Sequence, residues 1–175
     1  MRCEYPYCEI QRFSQTWLMK LIALVDAGMI LFFLYIMYQQ LVLGHPFGNH
    51  PMSNTGLIVS GFIVIAISVA IFVLLYSMAL IIEVRDDGIY FKLKPFHSSY
   101  HRISWNEIKD IEVVNYGFFR YGIGVHWGPG WKAYTLLGSS AIKIKRKEGS
   151  DIIISSIRPR EFLDTVKSYL NSFQE

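Results

Sequence analysis

His97 and His101 have three residues between them, and His126 follows later, a set that could ligate zinc if one helix carried the first pair on a single face. The local sequence argues otherwise. Pro95 precedes the pair, Ser98-Ser99 separates it, and no acid stands between the two imidazoles. A loop with hydrogen-bonding histidines is therefore expected, and no metal. His45 and His50 belong to a different segment, and Cys3 with Cys8 supplies only two of the four ligands a tetrahedral site needs. No serine stands in a G-x-S-x-G elbow and there is no P-loop. Gly122-Ile123-Gly124 followed by Gly128 is not a dinucleotide fingerprint, and Asp86-Asp87 belongs to a turn. Neither an enzyme nor a bound cofactor is expected.

Two sets of residues are suited to binding. Residues 116–134 hold seven Phe, Trp or Tyr and five Gly in nineteen positions. Phe118, Phe119, Trp127 and Trp131 could contact lipid or a protein partner, with Arg120 and Lys132 approaching phosphate headgroups. The alternative is a pair of glycine-relieved strands whose aromatics fill the interior. Lys143, Lys145 and Lys147 share one face if their segment is a strand, beside Arg146, and would attract an anionic leaflet. The plainer alternative is a solvated strand face balanced by Glu148 and Asp151. Net charge over residues 83–175 is only +3, with no basic stripe, so nucleic acid is excluded as a partner.

These groups must be carried by two unlike halves of the chain. Of 175 residues 52% are hydrophobic and 18% charged, against about 25% charged in soluble domains. Residues 21–82 contain one charged side chain, Asp26, whereas residues 83–175 contain 25 of the 31. Residues 56–82 run 27 positions without a charge, enough for a transmembrane helix. Residues 21–43, with Trp17, Tyr35 and Tyr38 where interfacial aromatics are expected, form the expected first span, and Glu4, Pro6 and Glu9 argue against a cleaved signal peptide. Arg2, Arg12 and Lys20 precede the first span, and Arg85, Lys92 and Lys94 follow the second. The linker 44–55 has no Lys or Arg. The positive-inside rule then predicts a hairpin in the cell (inner or plasma) membrane, with an external loop 44–55 and both termini, 1–20 and 83–175, in the cytoplasm. A disulfide between the two cysteines is not expected on that reducing side. Counted from Lys20, Asp26 lies less than two turns inside, so the cytoplasmic boundary is its expected place. A polar contact to the second helix or a partner is the alternative; a proton relay lacks a second intramembrane acid or base.

Beyond residue 82 the period changes to two. Ile89, Phe91 and Leu93 alternate with Tyr90, Lys92 and Lys94 after the turn Asp86-Asp87-Gly88, so residues 80–85 form the preceding strand. Further strands are expected at 103–106, 109–115, 142–147 and 151–157. Pro159 opens a last helix with Phe162, Leu163, Val166, Leu170 and Phe173 on one face.

The turn Asp87-Gly88 followed by Ile89-Tyr90, the run Ile103 to Ile111, and Ile157-Arg158-Pro159-Arg160-Glu161-Phe162 resemble the bacterial PH-like domains. Gly122-Ile123-Gly124, Ala133-Tyr134 and Gly138 are similar to one branch of that group. The resemblance covers residues 79–173 and implies a seven-stranded PH-like antiparallel β-barrel or curved sheet with a C-terminal α-helix, without catalytic residues. The expected whole is a membrane α + β protein, a transmembrane hairpin followed by a PH-like module. It would act as a non-catalytic adaptor for a membrane-protein partner, for self-association or for lipid headgroups. The competing function is an accessory subunit of a membrane enzyme or transporter, using Asp26 or the His97/His101 pair.

Overall fold

Asp86-Asp87 makes a two-residue hairpin between strands β2 (Ala79–Arg85) and β3 (Gly88–Lys94), with Arg85 opposite Gly88. The computed structural model describes residues 5–48, 50–115 and 122–172. β2 and β3 are the centre of a four-stranded antiparallel sheet ordered β1-β2-β3-β4, where β1 is Tyr7–Arg12 and β4 is His101–Ser104. A five-stranded sheet ordered β5-β8-β9-β7-β6 is formed by Ile108–Asn115 (β5), Gly124–Gly128 (β6), Trp131–Thr135 (β7), Ser140–Arg146 (β8) and Asp151–Ser156 (β9).

Alternation in the sequence sets the two inner faces. Leu80, Ile82 and Val84 of β2 and Ile89, Phe91 and Leu93 of β3 are buried, as are Ile142 and Ile144 of β8 and Ile152 and Ile154 of β9. The sheets meet where the Phe91 and Tyr134 rings lie 4.6 Å apart. Helix α3 (Pro159–Ser172) buries Phe162 and Val166, and Phe162 stacks on Tyr7 of β1 at 4.9 Å. Its Tyr169 stacks on Trp105 at 5.3 Å. Against the barrel implied by the resemblance, the described strands form two sheets and no closed barrel, and β7 pairs with β9 in parallel. Ile152-Ile153-Ile154 is apolar on both faces because β9 lies inside its sheet with cover on each side.

A second compact unit, residues 14–76, separates β1 from β2 in the sequence. Helix α1 (Trp17–Met37) is capped by the Thr16 hydroxyl, which accepts the Met19 N–H, and runs on into a π-helical turn at Tyr38–Val42. Helix α2 is Asn54–Ser77. Both are long and apolar enough to cross a membrane. Much of their apolar surface is uncovered: Leu24, Phe62 and Ile67 are each more than half exposed. The loop between them is held by Gln40, whose Nε2 donates to Met52 O at 2.6 Å and to Asn54 Oδ1 at 3.0 Å. A methyl group at Gly61 would meet Met37 and Phe33 at 3.4 and 3.7 Å, ordinary contact distances, so α1 lies beside α2 there without depending on the glycine.

Three expected boundaries shift. The second apolar helix ends at Ser77 instead of 82, because Ala79–Arg85 pairs as β2. The first begins at Trp17, four residues before 21. The N-terminal segment 1–20 is no separate tail: Tyr7–Arg12 pairs with β2 along its whole length, and residues 5–13 belong to the same compact unit as β2.

Candidate functional site

The β6–β7 hairpin turns through Pro129 and Gly130, the latter at φ +76°, a conformation that glycine adopts without strain. Gly128 and Trp131 face each other, and a Cβ on Gly128 would fall within 2.5 Å of the Trp131 indole. That indole packs on Ala133, Ala141 and Ile153 together with Val114. Trp127 pairs with Lys132 on the opposite face and is 77% exposed. Two tryptophans four positions apart are thereby divided, one completing the sheet surface and the other presented to the surroundings beside the exposed Lys132. Phe118, Phe119 and Arg120 lie outside the described residues.

The lysines of β8 are neutralised within the fold. Lys143 meets Asp151 at 3.2 Å, and Lys145 meets Asp110 at 3.0 Å and Glu112 at 3.3 Å. Arg146 meets Glu107 at 3.6 Å, while the Lys147 side chain is exposed. A cleft of about 460 Å³ lined by Asn106, Glu107, Arg146, Lys147 and Glu148 mixes both signs of charge. The structure brings acids to this cluster, so it has little net field for an anionic surface.

His97 and His101 do come together, their rings 4.2 Å apart edge to face, against Tyr134 and Phe91. His97 Nδ1 accepts the Leu93 N–H at 3.3 Å. Burial, then the neighbouring His101 and Lys92, push the His97 imidazole below its usual range. Burial raises the Tyr134 phenol. Among the described residues no three His, Cys, Asp or Glu are grouped so as to hold a metal ion. His126 has a buried Nε2 without a hydrogen-bond partner among them.

Asp26 is nine residues along α1 from Trp17, and Ser68 is nine residues from the end of α2 at Ser77, each about 14 Å at 1.5 Å per residue. The Ser68 hydroxyl donates to Asp26 Oδ1. Asp26 thus touches the second helix, the polar contact named as the alternative, six residues beyond Lys20 in α1. It opens on a groove of about 340 Å³ whose other walls include Ile22, Met29, Val64 and Ile67.

Residues 6–173 match the model of a family of unknown function, DUF6141. The chain belongs to that family. No curated protein and no solved structure matches it. The DUF6141 match starts one residue before β1 and runs past the end of α3, so one family unit includes the edge strand, the inserted helices and both sheets.

Sequence reasoning missed a buried polar seam at the start of that unit. Tyr7, Glu9 and Gln11, at most 2% exposed, share the inner face of β1. The Glu9 carboxylate accepts from the Tyr7 hydroxyl, from Gln11 Nε2, from Ser156 Oγ at 2.8 Å and from the Ile157 N–H at 3.0 Å. Gln11 accepts the Leu137 N–H at 2.9 Å and donates to Ser155 O at 2.8 Å, joining the two sheets through a side chain as a peptide group would. Burial and the adjacent Glu9 raise the Tyr7 phenol well above its usual range. The period-two spacing of three hydrogen-bonding side chains was the available signal. On the outer face, Arg85 pairs with Glu83 and lies over the Tyr5, Tyr90 and Tyr100 rings at 4.6, 4.2 and 5.3 Å. Cys8 is disulfide-bonded, contrary to the expectation for a reducing compartment.

Proposed function

We propose that this DUF6141 protein is an integral protein of the cell membrane, in which α1 and α2 span the bilayer as a hairpin and a PH-like sheet unit acts as a non-catalytic adaptor for a membrane-protein partner. Trp127 carries this reading. Tryptophan is highly buried on average, and one that is 77% exposed beside a lysine at a hairpin tip has the composition of an interface anchor. A protein partner is favoured over lipid headgroups because Lys143 and Lys145 are already ion-paired. The accessory-enzyme alternative gains no support from His97 and His101, which are packed as rings against Tyr134.

The membrane part of the reading is supported by the exposed apolar faces of both helices and by the closure of their insertion. Arg12 pairs with Ala79, and the Phe13 N–H donates to Met78 O at 3.1 Å. The two ends of the inserted segment leave from neighbouring positions of one sheet, which supports a hairpin with an even number of crossings. The Lys and Arg distribution assigns the sheet unit and both termini to the cytoplasm.

Purification of the full chain in mild detergent tests the adaptor reading. A stoichiometric partner that is lost in Trp127→Ala supports it. Repeated recovery of a lone chain overturns it, and retention on anionic vesicles alone would hand the surface to lipid. Labelling of a single cysteine introduced at Ser172 by an impermeant maleimide in intact cells, against lysed ones, decides the side. The separate fragment 83–175 is unsuitable for either assay, because it lacks β1 and most of β2.

A further inference from the structure

Asp26 is the only charged side chain in residues 21–82. If α1 and α2 span the bilayer, as proposed above, its position six residues past Lys20, about 9 Å along α1, puts it within a hydrocarbon core about 30 Å thick. A carboxylate at that depth is expensive and is found paired or facing a polar pathway. Among the described residues its partner is the Ser68 hydroxyl, a neutral donor to one of the two oxygens. Asp26 is also half-buried, not sealed between the helices, and borders a groove whose walls are apolar. We propose that this groove seats a transmembrane helix of a different protein, one with a lysine or arginine at the level of Asp26.

Charge complementarity selects that occupant. In a second copy packed parallel, Asp26 would meet Asp26, and the one basic residue of α1 and α2, Lys20, lies six residues, about 9 Å, nearer the helix end. Acyl chains fill apolar walls but donate nothing to a carboxylate. A basic side chain in the groove pairs the free carboxylate oxygen while its helix covers Ile22, Val64 and Ile67.

The test uses the full-length protein reconstituted in phosphatidylcholine vesicles, with resistance to alkaline extraction measured first. Two dye-labelled leucine-rich transmembrane peptides are compared by energy transfer, one with a central lysine and one with leucine there. The lysine peptide should associate about tenfold more tightly with the wild type, and Asp26→Asn, which retains an acceptor for Ser68, should lose that preference. Ser68→Ala should keep it. Equal association of the two peptides, or an undiminished preference in Asp26→Asn, overturns the proposal while the membrane reading stands. Self-association abolished by Asp26→Asn gives the groove to a second copy and also overturns it. Complete extraction at alkaline pH removes the membrane reading and the proposal together.

Discussion

The carboxylate of Glu9 accepts the backbone N–H of Ile157 at 3.0 Å, joining the first strand of the chain to the segment that leads into its last helix. With Tyr7, Gln11 and Ser156 also donating to it, this buried group has four donors around one side chain. Glu9→Ala strips the acceptor from all four. The expected cost is about 3 kcal/mol or more, since buried donors left unpaired lose about 1–3 kcal/mol each before relaxation. Glu9→Gln keeps one carbonyl and should fall between. Thermal melting by near-ultraviolet dichroism in detergent checks both, and an Ala variant melting with the wild type would remove the seam from the account of stability.

At the other end of the same sheet, Gly88 has φ +151° and a Cβ there would lie 2.3 Å from Ile103 O of the paired strand. Gly88→Ala should therefore destabilise by more than about 2 kcal/mol, because a backbone carbonyl cannot step aside as a side chain can. Gly130→Ala is the control. Its φ of +76° is equally unwelcome to alanine, but nothing lies within 4 Å of the added methyl, so the expected loss is about 1 kcal/mol. Equal losses in the two variants would show that conformation alone, not strand approach, makes glycine necessary at 88.

Trp127 and Trp131 should separate binding from stability. Trp131→Ala removes an indole resting on Ala133, Ala141 and Ile153 and should cost about 1–3 kcal/mol, less than a fully buried tryptophan. Trp127→Ala should change stability by no more than about 0.5 kcal/mol, given its exposure, while abolishing partner recovery. The same denaturation and pull-down measurements serve both. A large stability loss in Trp127→Ala would mean that its surroundings are structural.

Local chemistry made much of this legible. Asp86-Asp87-Gly88 announced the β2–β3 hairpin, and alternation of Ile89, Phe91 and Leu93 gave its buried face. Pro159 with the stripe through Phe162 and Val166 gave the last helix. β1 was hidden because its inward residues are Tyr7, Glu9 and Gln11, so no apolar alternation appears, and its partner lies beyond the whole helical insertion. The parallel β7–β9 pairing is a long-range choice that Ile152-Ile153-Ile154 permits without specifying. The charge of Asp26 stood out, but Ser68 as its partner depends on helix rotation, which the sequence does not specify. Trp127 and Trp131 are equivalent in composition, and only the register of the β6–β7 hairpin sends them to opposite faces.

Mild acid should weaken the sheet unit through His97. Its imidazole is packed 4.2 Å from His101 and 5.3 Å from Tyr134, and its pKa is depressed by burial, by His101 and by Lys92. Above about pH 6.5, the value of an unfolded histidine, both states hold neutral rings and the stability is complete. Below it the unfolded chain takes up the proton first, so stability falls as pH drops from 6.5 through the lower folded value. His97→Phe retains a ring beside His101 and removes the titrating group, though the Leu93 N–H loses its acceptor at 3.3 Å. The variant should be less stable at pH 7.5, yet lose less than the wild type between pH 7.5 and 5.5. Melting temperatures at the two pH values measure this difference. Parallel slopes for the two proteins would assign the acid sensitivity to other groups and leave His97 as a packing residue alone.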